Sequence, residues 1–158
     1  MVAGRNFSTR VVIQRLWVQT SVVEECCNPG GGRCWLELDL PAECHSPRVA
    51  REAVCAAARE WVPAEVVSGA GLCASELVTN VLLHTDCARC HLVVSYEHGE
   101  LSMAVHDDSP GLPAMIAARS EEHGRGLRIV ASLATDWGVV RESPTGKSVW
   151  LRMSTDGE

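Results

Sequence analysis

The sequence predicts an α+β fold: a two-layer α/β sandwich with a mixed, mostly antiparallel sheet and helices on one face. Three observations predict it. Short stretches from Cys34 onward alternate apolar and mixed residues at period two. Each has one apolar face only, and such a sheet is covered by helices on one side. Between them lie stretches with helical periodicity. The 158 residues, 46% hydrophobic and 22% charged, suit one domain with one core, and no internal repeat divides them.

The elements follow in order. Residues 1–32 read as a variable extension with room for one short helix or strand, closed by the flexible "NPGGG" at Asn28–Gly32. "CWLELDL" places Leu36, Leu38 and Leu40 on one face of a strand. In "SPRVAREAVCAAAREW", Ser46 is a suitable N-cap and Pro47 suits the first helical position. Val49, Ala53, Ala56 and Ala57 form a narrow apolar face there. Pro63 starts a second helix through "CASELVTNVLLH", with Leu72, Val78, Val81 and Leu82 on its core side. "HLVVSYEHGELSMAVHDD" reads as a hairpin turning at Glu97–Glu100. After Pro110 a loop of about a dozen residues is longer than most connections. "GRGLRIVASLA" restores a helix through Leu127, Val130 and Leu133. "DWGVVRE" and "KSVWLRM" are two closing strands, the second alternating at Val149, Leu151 and Met153.

Composition narrows the function. A net charge of −6 argues against a protein that binds nucleic acid by neutralising phosphates. No stretch reads as a membrane span. The best signal-like core, "RVVIQRLWV", is interrupted by Gln14 and Arg15, so the expected compartment is the cytoplasm. The eight cysteines are scattered, and a reducing compartment keeps them as thiols. "CARCH" at Cys87–His91 matches the attachment pattern of c-type haem, but it falls where the fold needs a turn and a strand start. It is not read as a haem site, and the spacing around it offers no zinc quartet.

Three stretches carry chemistry. In "SELVTNVLLH", Glu76, Asn80 and His84 recur every four residues and share one helix face. A carboxylate there suits proton abstraction and an amide oxygen suits Mg²⁺, whereas a solvated polar face is the competing reading. In "VHDDSPG", strand parity carries Asp107 to the core side. Either it is a buried carboxylate needing donors, or it leaves the strand and caps the turn that follows. In "EEHGRGLRIV", two glycines flank Arg125 where a loop enters a helix, an arrangement that lets phosphates approach backbone N–H groups.

In this order the three stretches resemble the ATP-binding domain shared by histidine kinases, gyrase-type topoisomerases and heat-shock chaperone ATPases, whose fold is the Bergerat type. The chain looks most like the branch of bacterial anti-sigma factor serine kinases and their actinobacterial relatives. The resemblance spans residues 33–153, leaving 1–32 as the extension and 154–158 as a tail. "SELVTN" resembles the branch's N-box, "DDSPG" stands where the family has Asp-x-Gly-x-Gly, and "HGRGL" matches its second glycine box. The resemblance implies Glu76 as general base, Asn80 as Mg²⁺ ligand and Asp107 as the adenine contact. It implies that Gly111 shapes the adenine pocket and that Gly124 and Gly126 line the phosphates, with Arg125 and Leu127 in the same box. Leu112–His123 would be the lid over ATP. Ser109 departs from the family's first glycine in the adenine turn. Gly146-Lys147-Ser148 stands where the family often has Gly-Thr, and no adenine contact is assigned there. The implied function is an ATP- and Mg-dependent anti-sigma factor and serine/threonine protein kinase acting on a small antagonist protein. Its implied partners are that antagonist and a sigma factor, with a homodimer left open and neither nucleic acid nor membrane involved. The alternative is a nucleotide-responsive protein-binding module without phosphotransfer.

Overall fold

The computed structural model describes residues 33–109, 125–142 and 146–155, together with the backbone of Ser21–Cys26. In chain order the elements are β1 (Ser21–Cys26), β2 (Cys34–Pro41), α1 (Ser46–Trp61), α2 (Ala64–His84), β3 (Arg89–Glu97), β4 (Glu100–Asp107), α3 (Arg125–Leu133), β5 (Asp136–Arg141) and β6 (Lys147–Ser154). The six strands form one sheet in the order β1-β2-β3-β4-β6-β5. Every pairing among them is antiparallel, so the mixture of directions expected from sequence resolves to one ladder type. β1 comes from the extension before Asn28 and continues the sheet beyond β2.

Alternation sets the core. Register aligns Leu38, Leu92, Val105 and Val149 across four strands, and Leu36, Val94, Met103 and Leu151 in the next row. All eight are buried and join one cluster with α1 and α2. Each such side chain contributes roughly 1.5–3 kcal/mol of burial. The β3–β4 hairpin turns through His98 and Gly99, with φ of 51° and 77°. Two left-handed central residues give the turn whose twist matches the flanking strands.

α1 starts one residue earlier than its N-cap signal suggests. His45 precedes the helix, and Ser46 lies inside the first turn, fully buried. Its hydroxyl donates to the Pro41 carbonyl at 2.6 Å, tying the helix start to the end of β2. α2 differs in its buried stripe. Val67, Ala70, Cys73, Ala74, Leu77, Val78 and Val81 are buried, while Leu72 and Leu82 are only half-buried. The larger side chains flank a seam of small ones. Ala50, Ala53, Ala57 and Ala58 of α1 are buried likewise, which lets the two helices approach closely.

α2 also corrects the expectation that no segment is fit to cross a membrane. It is long and apolar enough by length and composition. Here its buried residues belong to the core shared with α1 and the sheet.

The Ser46 tether is testable. Ser46→Ala removes one of two donors to the Pro41 carbonyl, the Glu43 N–H at 2.9 Å remaining, and is expected to cost about 0.5–1.5 kcal/mol in urea unfolding. Ser46→Asp, harmless at a true N-cap, is expected to cost more than Ser46→Ala, because a buried carboxylate then faces the Pro41 oxygen.

Candidate functional site

Two clusters of polar groups lie on the helix-covered side. The first joins α2 and α3. Glu76 and Asn80 are both half-buried, one turn apart on the same row of α2. A Cβ added to Gly126 would lie 2.6 Å from Glu76 Oε2 and 3.6 Å from its Cδ, so the carboxylate rests against the backbone of Gly126. Gly126 lies in the first turn of α3, where free N–H groups and the helix dipole favour negative charge. Arg125 beside it is exposed. The Leu127 side chain is buried in the core and anchors the helix, so only its backbone is offered at the helix start. The predicted acid and the second glycine box thus meet in space.

The second cluster sits where β4 ends. Asp107 is 2% exposed and lies in the strand, on the core side, as parity requires. Its Oδ1 also accepts the Ser109 N–H at 2.8 Å, so the buried-strand and turn-capping readings are both realised. The same oxygen accepts from Lys147 Nζ at 3.0 Å and faces Cys87 Sγ at 3.9 Å. Lys147 is directly opposite Asp107 in the β4–β6 register and only 3% exposed. Gly146 precedes it at φ 112°, and an added Cβ would lie 3.0 Å from the Asp107 carbonyl oxygen. A left-handed turn open only to glycine therefore brings Lys147 into line.

The sequence marks Lys147 only as part of the departure from Gly-Thr and assigns it no role. The signal was present: stepping back by two from Met153 through Leu151 and Val149 reaches Lys147 on the core face. Gly111, Gly124 and the Leu112–His123 segment lie outside the described residues. "CARCH" does not assemble a haem site. Cys90 is buried on the core face, whereas His91 lies on the other face, 3.6 Å from Glu37 Oε2.

Both clusters alter neighbouring thiols. Burial, then the Glu76 carboxylate, pushes Cys73 up to about 11. Burial, then the Asp107 carboxylate, pushes Cys90 up to about 12. Among the described residues no group of three or more His, Cys, Asp or Glu is placed to hold a metal. Glu76 and Asn80 offer hard oxygens, which fits an ion such as Mg²⁺ that completes its shell with phosphates and water.

An antiparallel sheet covered by helices on one face, with an acid and an amide on one helix and a glycine-opened helix beside them, defines a nucleotide-binding class of sandwich. The comparisons agree with it: residues 40–153 match the histidine kinase-like ATPase domain, and the chain belongs to that family. A solved structure of the RsbU and RsbW domains of Rv1364c from Mycobacterium tuberculosis superposes with a TM-score of 0.60 at 15% identity. The match covers 76% of this chain and 32% of that one, and at that identity it speaks for the fold. Among curated proteins none matches.

The thiols give a pH prediction. Below the ordinary thiol value of 9.0, Cys73 and Cys90 are protonated both folded and unfolded and do not affect stability. As pH rises from there toward about 11 and 12, only the unfolded chain releases the protons, so stability falls. Alkylation at pH 8 is expected to label exposed Cys44 at once and to reach Cys73 and Cys90 only on unfolding.

Proposed function

We propose that this protein is a cytoplasmic ATP-binding regulator that acts as an anti-sigma factor and transfers the γ-phosphoryl group to a serine or threonine of a small antagonist protein. The observation that carries the reading is the contact of Glu76 with the start of α3 at Gly126. It sets a proton acceptor from one helix beside the backbone N–H groups suited to phosphate.

In this reading Glu76 accepts the proton of the antagonist's hydroxyl. The hydroxyl oxygen bonds to the γ-phosphorus as the bond to ADP breaks. Asn80 holds Mg²⁺, which supplies charge to the phosphates when bound, and Arg125 steadies the γ-phosphoryl oxygens. Gly124 lines the phosphates with Gly126, Gly111 shapes the base pocket, and Leu112–His123 closes over the nucleotide. Asp107 receives the adenine amine. The sigma factor and the antagonist as partners rest on the family branch that the sequence resembles, and a homodimer is left open by it.

The test is transfer of labelled γ-phosphate from Mg-ATP to candidate antagonists. Glu76→Ala is expected to lose transfer by about 10²-fold or more while ATP binding is kept, because it removes a proton acceptor. A partner that binds with ATP yet stays unlabelled would instead indicate a nucleotide-responsive binding module without phosphotransfer. Asp107→Asn is expected to weaken ATP binding at least tenfold in calorimetry, as the loss of a charged hydrogen bond requires.

A further inference from the structure

Lysine is almost never fully buried unless paired, and Lys147 is both. Its pairing is incomplete. An ammonium carries three donors and a carboxylate about four acceptor sites. Among the described residues, every donor reaching Asp107 meets Oδ1, and the only acceptor meeting Lys147 Nζ is that same oxygen. Oδ2 takes none of these donors and lies beside an ammonium with N–H groups to spare, so the pair keeps an acceptor and a donor side by side for a further partner.

The complement of such a pair is a planar edge with a donor next to an acceptor. The six-position edge of adenine is one: the N6 amine donates and ring N1 accepts. Guanine and hypoxanthine reverse it, with a carbonyl at position 6 and a hydrogen on N1. We infer that Asp107 and Lys147 together read the base, Asp107 taking the N6 amine and Lys147 donating to N1. This rests on the nucleotide reading above, which aims position 6 at Asp107, and it adds Lys147 as a specificity-determining residue. A 6-oxo purine in the same register sets its carbonyl against the carboxylate and its N1 hydrogen against the ammonium. The lysine thus takes up the place left open by the Gly-Lys departure in the last strand.

The test is equilibrium binding of the full chain to Mg-ATP, Mg-ITP and Mg-1-deaza-ATP, the last lacking the N1 acceptor. Wild type is expected to bind 1-deaza-ATP at least about tenfold more weakly than ATP, the loss of a charge-assisted hydrogen bond, and ITP more weakly still. Lys147→Met is expected to bind ATP and 1-deaza-ATP alike. Because that variant leaves Asp107 without its cation, Asp107→Asn/Lys147→Met is measured beside it, and the wild-type comparison needs no variant at all. Equal binding of ATP and 1-deaza-ATP by wild type overturns the inference and leaves the nucleotide reading intact. So does tighter ATP binding by Lys147→Met, which would make the ammonium an occupant of the base position. No binding of any triphosphate overturns the nucleotide reading and the inference with it.

Discussion

One-sided burial is the constraint on which this structure depends. Helices cover a single face of the sheet, so every second strand residue must be apolar and the register between strands cannot slip by one. The rows built on Leu38 and Leu36 satisfy this across four strands. The same parity does not stop where the apolar residues stop. It carries Asp107 and Lys147 into the interior at the ends of β4 and β6, where solvent would otherwise hydrate both charges.

Such a pair is poor material for stability. Taking two charges out of water costs several kcal/mol per ion, and hydrophobic replacements of similar volume are often neutral or better. The Ser109 N–H and the Cys87 thiol add contacts to one oxygen only. The row that ends in this pair runs past Leu40 and Cys90, where another aliphatic pair would pack without penalty. A charged pair held there by a glycine at φ 112° is better understood as a site that the fold supports than as a support for the fold.

Most of the fold was legible from alternation, because period two survives wherever one face is dry. The hairpin, the closing strands and the three helices all carry that signal or its helical counterpart. What escaped did so for specific reasons. The α2 seam is built from Ala70, Cys73 and Ala74, and a reading that seeks large apolar residues finds Leu72 and Leu82 beside it. Ser46 has the chemistry of an N-cap, yet its hydroxyl is claimed by a carbonyl five residues back, a long-range fact invisible to local preference. β1 belongs to the sheet through pairing with β2, and pairing partners are not written in a strand's own residues. Lys147 shows in the sequence as a departure from Gly-Thr with no role attached, because its partner across the ladder is a matter of register.

The candidate site was legible in part, and the parts differ in kind. Glu76 and Asn80 follow from spacing alone, since four residues make a helical turn. Their meeting with Gly126 depends on how α2 and α3 pack, which spacing does not encode. That packing gives the glycine its reason. A side chain at position 126 would push the Glu76 carboxylate off the helix start, so the acid keeps its place there only against a glycine. The two clusters join through the α2–β3 link: Thr85 Oγ1 accepts the Cys87 N–H at 3.2 Å, and Cys87 reaches Asp107. A change in the tilt of α2 would thus be felt at both the acid and the buried charge pair.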